Sequence, residues 1–89
     1  MSGDELVDFA ETIKSRDDFM KFMKFYLEDF HRNREEWDNA DLPSYLAGMH
    51  GFVLNMTGYY KNKGLQPDLD NPSWRVLAEV LLAACVFEG

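Results

Sequence analysis

Glu28-Asp29-Phe30-His31 places a carboxylate and an imidazole three residues apart, and Glu35 follows one turn beyond His31. On a helix that is half of a carboxylate-bridged metal site, which needs a second Glu-x-x-His and two further inward-pointing glutamates. The second half is missing, because His50 has no carboxylate three or four residues before it. Glu28, His31 and Glu35 therefore read as a solvated acidic surface rather than as metal ligands. Cys85 would act as a nucleophile only beside a base that lowers its pKa. Its neighbours Leu81, Ala84 and Val86 are apolar, so it reads as a buried thiol packing like a small hydrophobe. Ser44 and Ser73 read as first-turn helix residues, and no motif joins either to a histidine. There is no glycine-rich phosphate loop and no paired Cys/His zinc spacing. The expectation is a chain with no catalytic residues, no metal and no cofactor. Glu79 is the one carboxylate on an otherwise apolar stretch, with Arg75 one turn before it. It is either half of a helix-surface ion pair or a buried polar anchor.

Charge narrows the partners. The 89 residues carry nine basic against sixteen acidic side chains, a net charge of −7. A phosphate backbone needs a basic footprint, and an anionic membrane surface needs basic clusters; neither is present. The longest apolar run, Val80–Phe87, is about half of a membrane span. A single cysteine allows no internal disulfide, and Met1-Ser2-Gly3-Asp4-Glu5 lacks the basic start and apolar stretch of a signal peptide. A cytoplasmic protein is expected. With 46% hydrophobic and 15% aromatic residues, the chain is too apolar to be disordered, and its length suits one domain over residues 1–89.

The elements that would carry these residues are helical. Leu6, Phe9, Ala10 and Ile13 fit a short N-terminal helix over Asp4–Ile13. Ser15 caps a second helix of about Arg16–Arg34, with Asp17 and Asp18 in its first turn. Its apolar stripe is Phe19, Phe22, Met23, Tyr26, Leu27 and Phe30, with Met20 and Phe25 outside it. Asp41 caps a third helix, with Pro43 tolerated in its first turn. Leu42, Tyr45, Leu46, Met49, Phe52, Val53, Met56, Tyr59 and Tyr60 keep helical spacing to a stop at Gly64. Gly48 and Gly51 would let another helix approach closely. Asn71 as cap and Pro72 in the first turn open a last helix to about Phe87. One stripe on it is Trp74, Leu77, Ala78, Leu81, Ala84 and Cys85; the other is Val76, Val80, Ala83 and Phe87. A helix apolar nearly all round is central or partner-covered, and a central one would bury Leu77, Val80 and Leu81 together. The fold expected is all-α, a small bundle of three long helices plus a short N-terminal one.

Twelve of the sixteen acidic residues lie at or before Asp41, leaving Asp68, Asp70, Glu79 and Glu88 beyond it. Trp37, Tyr59, Tyr60 and Trp74 sit near helix termini, either as protein-recognition side chains or as wedges closing helix ends onto the core. A partner-binding face would comprise Asp17, Asp18, Glu28, Asp29, Glu35, Glu36 and Asp38, with Trp37 as its anchor.

Trp37-Asp38-Asn39 with Leu42, Tyr45 and Leu46, then Gly58-Tyr59-Tyr60-Lys61-Asn62, then Pro72-Ser73-Trp74 leading to Leu81-Leu82-Ala83-Ala84 and Phe87-Glu88, form a combined pattern. Over Ser15–Glu88 it resembles a family of small, acidic, helical bacterial domains of unknown function. The resemblance implies a bacterial or phage origin and a self-contained domain, and carries over no site residues. The residues themselves point to a non-enzymatic acidic module that binds another, basic protein, in the manner of inhibitors and immunity proteins. The alternative is a homo-oligomeric structural domain, a homodimer above all, pairing through its apolar C-terminal helix.

Overall fold

Every helix starts behind a short oxygen-bearing side chain that takes one of the orphan N–H groups of the first turn. The computed structural model describes residues 2–88, so Met1 and Gly89 of the expected domain lie outside it. Its helices are α1 (Gly3–Glu11), α2 (Arg16–Asn33), α3 (Leu42–Asn62) and α4 (Trp74–Ala84), with a 3-10 turn at Arg34–Glu36 extending α2. There is no strand among the described residues. The chain is an all-α bundle. Ser2 and Glu5 cap α1 reciprocally. Ser15 Oγ accepts from Asp18 N–H at 3.1 Å, and Asp41 Oδ1 from Ser44 N–H at 2.9 Å. The end of α3 is the expected one: Gly64 has φ 72°. Leu65 N–H reaches Tyr60 O and Gly64 N–H reaches Lys61 O, the paired bonds of a Schellman stop.

The start of α4 is displaced from expectation. Ser73, not Asn71, is the cap, accepting from Val76 N–H at 3.2 Å. Asn71 is held in a turn instead, where Asp68 accepts both its backbone N–H and its side-chain amide.

The central position of α4 explains most of the packing. α1 and α2 pack on each other and on α4, while the backbone of α3 runs close to α4 alone and meets α2 only where the Tyr26 and Tyr45 hydroxyls come together at 3.3 Å. Leu6, Ala10, Ile13, Phe22, Tyr26 and Ala78 form the core on one side; Phe52, Met56, Tyr60 and Val76 form it on the other. Val80 and Ala83 join the second group, as the second stripe of α4 requires, and so does Phe87, although α4 ends at Ala84 and not at the expected Phe87. Leu77 is exposed and Val80 and Leu81 are only half-buried, so the three are not buried together. The buried face of α2 is also turned from the expected stripe. Phe22, Tyr26 and Asp29 are buried and Phe25 packs on the core, whereas Met23 and Leu27 face solvent because α3 does not cover them. For the same reason Leu42, Leu46 and Val53 of α3 are exposed. None of the helices is long and apolar enough to cross a membrane.

The C-terminal end of α4 is closed by side chains from elsewhere in the chain. Its last carbonyls have no continuing helix to satisfy them. Leu81 O accepts from the hydroxyls of Tyr26 on α2 and Tyr45 on α3. Ala84 O and Phe87 O both accept from Asn39 Nδ2, at 2.9 and 2.8 Å, and Cys85 O accepts from Asn39 N–H at 2.9 Å. Leu82 O takes Cys85 Sγ–H, and Ala83 O takes the N–H groups of Val86 and Phe87. Three separate segments are thus tied to one helix end.

Candidate functional site

Because α3 leans on α4 and away from α2, a cleft opens between α2 and α3, floored by aromatic rings. Phe22, Tyr26, Trp37 and Tyr45 form a stacked ladder with successive centroid separations of 5.3, 4.8 and 6.0 Å. Phe30 meets Trp37 edge-on at 5.0 Å. The offset and edge geometries are the ones that aromatic quadrupoles favour. Trp37 is fixed at its polar end as well, donating from Nε1 to Asp29 Oδ2 at 2.9 Å. Asn33 Nδ2 donates to the other Asp29 oxygen at 2.8 Å. Trp37 therefore acts as the wedge that closes the end of α2 onto the bundle.

Above this floor stand side chains with no apolar cover. Met23 and Leu27 from α2 and Leu42 from α3 line the cleft, whose volume is about 340 Å³. Leu27 is 59% exposed, Leu42 68%, and Leu46, one turn further along α3, 52%. Large exposed apolar side chains grouped around a concavity make this cleft the candidate site. Asp41 is the one charged residue in the lining; its carboxyl is held below the usual range by the Ser44 N–H it caps.

The expected acidic face comes together only in part. Asp17 is exposed and Asp18 half-buried at the start of α2, where Asp18 accepts from Lys14 N–H. Glu35, Glu36 and Asp38 are exposed beyond the far end of α2, about 27 Å away for an 18-residue helix. Glu28 is half-buried and adjoins Leu27. Asp29 requires correction: it is buried and its oxygens are occupied by Trp37 and Asn33, so it offers a partner nothing. Its i, i+4 partner Asn33 and the indole that folds back over it supply what burial of a carboxylate needs. No signal in the sequence marked Met23, Leu27, Leu42 and Leu46 as open; their stripes look like any core face.

The other chemistry-bearing groups are consumed structurally. Glu79 is buried, accepting from Tyr60 Oη at 2.9 Å and from Arg75 Nε at 3.5 Å, which makes it a buried anchor carrying the helix pair. It borders a second, smaller cleft between α1, α3 and α4 lined by Val7, Phe52, Leu82 and Phe87. Burial pushes the Cys85 thiol above its ordinary pKa, which suits packing rather than attack. Glu28, His31 and Glu35 belong to no group of three metal-ligating side chains among the described residues.

Burial also raises the phenol pKa of Tyr26 and Tyr45, and that of Tyr60, where the hydrogen bond to Glu79 adds to it. All three hydroxyls are donors in the folded chain. A raised folded-state value contributes stability that is complete below the unfolded phenol value of about 10 and is lost as pH rises beyond it. Urea unfolding midpoints should accordingly hold up to about pH 9.5 and fall steeply above pH 10. Tyrosinate absorbance of these residues should appear together with loss of helical circular dichroism. Tyrosinate appearing in full while the helix signal persists would contradict the buried donor assignment.

A model described as a family of unknown function (DUF7660) matches residues 15–88, from the cap of α2 to the end of the described chain. No curated protein and no solved structure matches the chain.

Proposed function

We propose, from the premise that the chain belongs to this family of unknown function, that it is a non-enzymatic acidic module that binds another protein through the α2/α3 cleft. The observation that carries the reading is the uncovered Met23, Leu27 and Leu42 over a pinned aromatic floor, in a chain of net charge −7. Apolar side chains supply affinity once desolvated, and surrounding acidic charge steers and selects a basic partner. Asp17, Asp18, Glu28, Glu35, Glu36 and Asp38 supply that field rather than a contact patch. A module of this kind acts by covering its partner's surface, as inhibitor and immunity-type proteins do. Pairing of copies through α4 has less support, because Val80, Ala83 and Phe87 already pack on Phe52, Met56 and Tyr60.

Affinity capture with wild-type chain and with Leu27→Asp, Leu42→Asp and Leu54→Asp variants tests this. Leu54 is 70% exposed on α3 and outside the cleft lining, so it serves as the control. All three substitutions are at exposed sites and should change stability by no more than about 0.5 kcal/mol. A basic protein retained by wild type and Leu54→Asp, and lost by both cleft variants, is the expected result. Retention by the cleft variants would sink the proposal. Assaying the captured protein's own activity with and without the module tests the inhibitory role.

A further inference from the structure

We infer that the outward face of α3 pairs with the same face of a second copy of this chain, the two helices running antiparallel across a two-fold axis near His50. Gly48, Phe52, Met56 and Tyr60 form the buried side of α3, which packs on α4. By helical spacing the opposite side presents Leu46, Ala47, His50, Val53, Leu54 and Thr57, all exposed. Leu46 is 52% exposed, Val53 48% and Leu54 70%. The solvent side of a helix ordinarily carries charged and polar residues. Eight of the eighteen residues of α2 are charged, against one of twenty-one in α3, Lys61 in its last turn. No Asp, Glu, Lys or Arg stands from Leu42 to Tyr60. Apolar exposure with charge depleted is the composition of an interface core.

Charge also selects the occupant. Two copies of charge −7 repel wherever their acidic surfaces meet, and this face holds no acid. A basic partner finds nothing on it to recognise. The two ends of α3 are oppositely charged: Asp38 and Asp41 are exposed at its start, Lys61 and Lys63 at its close. Its 21 residues make it about 31 Å long. Antiparallel pairing brings the basic end of each copy to the acidic start of the other, with the helix dipoles opposed. Parallel pairing would set like ends together. The face is thus complementary to itself, as a two-fold interface requires. With His50 on the axis, Leu46, one turn before it, packs on Leu54 of the other copy, one turn after it.

Sedimentation equilibrium of the full chain, from about 5 µM to about 1 mM, reads the association. The mass should climb from 10.4 kDa toward twice that value. One helix face is a small interface, so half-dimerisation is expected at about 10–100 µM. Leu46→Glu and Leu54→Lys, each at an exposed position, should leave helical circular dichroism unchanged. Each should raise the dissociation constant at least about tenfold. The doubly substituted Leu46→Glu/Leu54→Lys chain should recover the dimer, because each new glutamate faces the new lysine of the other copy. The two positions are two turns apart and cannot pair within one helix. Leu27→Asp, in the α2/α3 cleft, should dimerise as wild type does. A wild-type chain monomeric up to about 1 mM would overturn the inference. So would a dimer indifferent to both single substitutions. A dimer broken by Leu27→Asp and not by Leu54→Lys would place the contact in the cleft and refute it as well. A double variant as monomeric as its parents would overturn the antiparallel register. Pairing through α3 and protein binding in the α2/α3 cleft use different side chains, so either can fail without the other.

Discussion

Replacing Asn39 by alanine should cost about 2–5 kcal/mol of unfolding free energy, a large share of the stability of a domain of this size. The side-chain amide of Asn39 uses both of its hydrogens on the end of α4, one on Ala84 O and one on Phe87 O. Truncation leaves two part-buried carbonyls without donors, each worth about 1–3 kcal/mol. Asn39→Asp is the sharper test, since it preserves shape while removing the donors. A carboxylate there would face two carbonyl oxygens at the negative end of a helix, so its folded-state pKa must rise. Stability contributed by the protonated form is complete below the unfolded carboxyl value of about 4 and is lost as pH climbs beyond it. Urea denaturation at pH 4 and pH 7 should therefore show the Asn39→Asp penalty growing with pH, whereas the Asn39→Ala penalty stays level. Equal penalties at both pH values would mean that the amide does not hold the helix end.

The second large effect lies on the other side of the same contact. A methyl group on Gly48 would sit 2.5 Å from Ala84 O and 2.7 Å from both Phe87 O and Asn39 Nδ2. Two of those neighbours are backbone atoms that cannot rotate aside. Gly48→Ala should destabilise by about 2 kcal/mol or more, because the cost of overpacking exceeds the gain of ~1 kcal/mol from helix propensity. Gly58, on the same helix, has open space where its Cβ would be. Gly58→Ala should be neutral or stabilising by up to about 1 kcal/mol. Thermal and urea unfolding of the two variants give the contrast directly. A stable Gly48→Ala protein would show that α3 and α4 can separate without loss.

These two residues also bear on the cleft. Gly48 lets α3 lie against the end of α4, and Asn39 fastens the connection between α2 and α3 to that same end. α3 is drawn toward α4 and cannot also cover α2, which leaves Met23, Leu27, Leu42 and Leu46 exposed. The aromatic ladder through Trp37 bridges the gap at its floor. On the proposed reading, variants that loosen the Asn39 contact should also weaken binding in the cleft, which Asn39 helps to line.

What could be read from the residues alone was most of what near neighbours in the chain govern. Ser15 and Asp41 cap helices because their oxygens reach N–H groups three residues on, and Gly64 stops α3 because a positive φ costs glycine nothing. The all-α class, the helical span of α3 and the two-sided character of α4 follow from spacing in the same way. Asn39 gave no such signal: in a polar connection it is an ordinary linker residue, and its partners lie 45 and 48 positions away. Asp29 reads as a surface acid on α2 until Trp37 folds back over it. Asn71 fits a cap as well as Ser73 does, and only the competing bonds to Asp68 decide between them. The apolar stripes of α2 and α3 were equally visible, but a stripe states only that a face is apolar and not whether another helix covers it. That coverage depends on how closely each pair of helices approaches. The tight approach of α3 to α4 at Gly48 left α2 without a neighbour on that side.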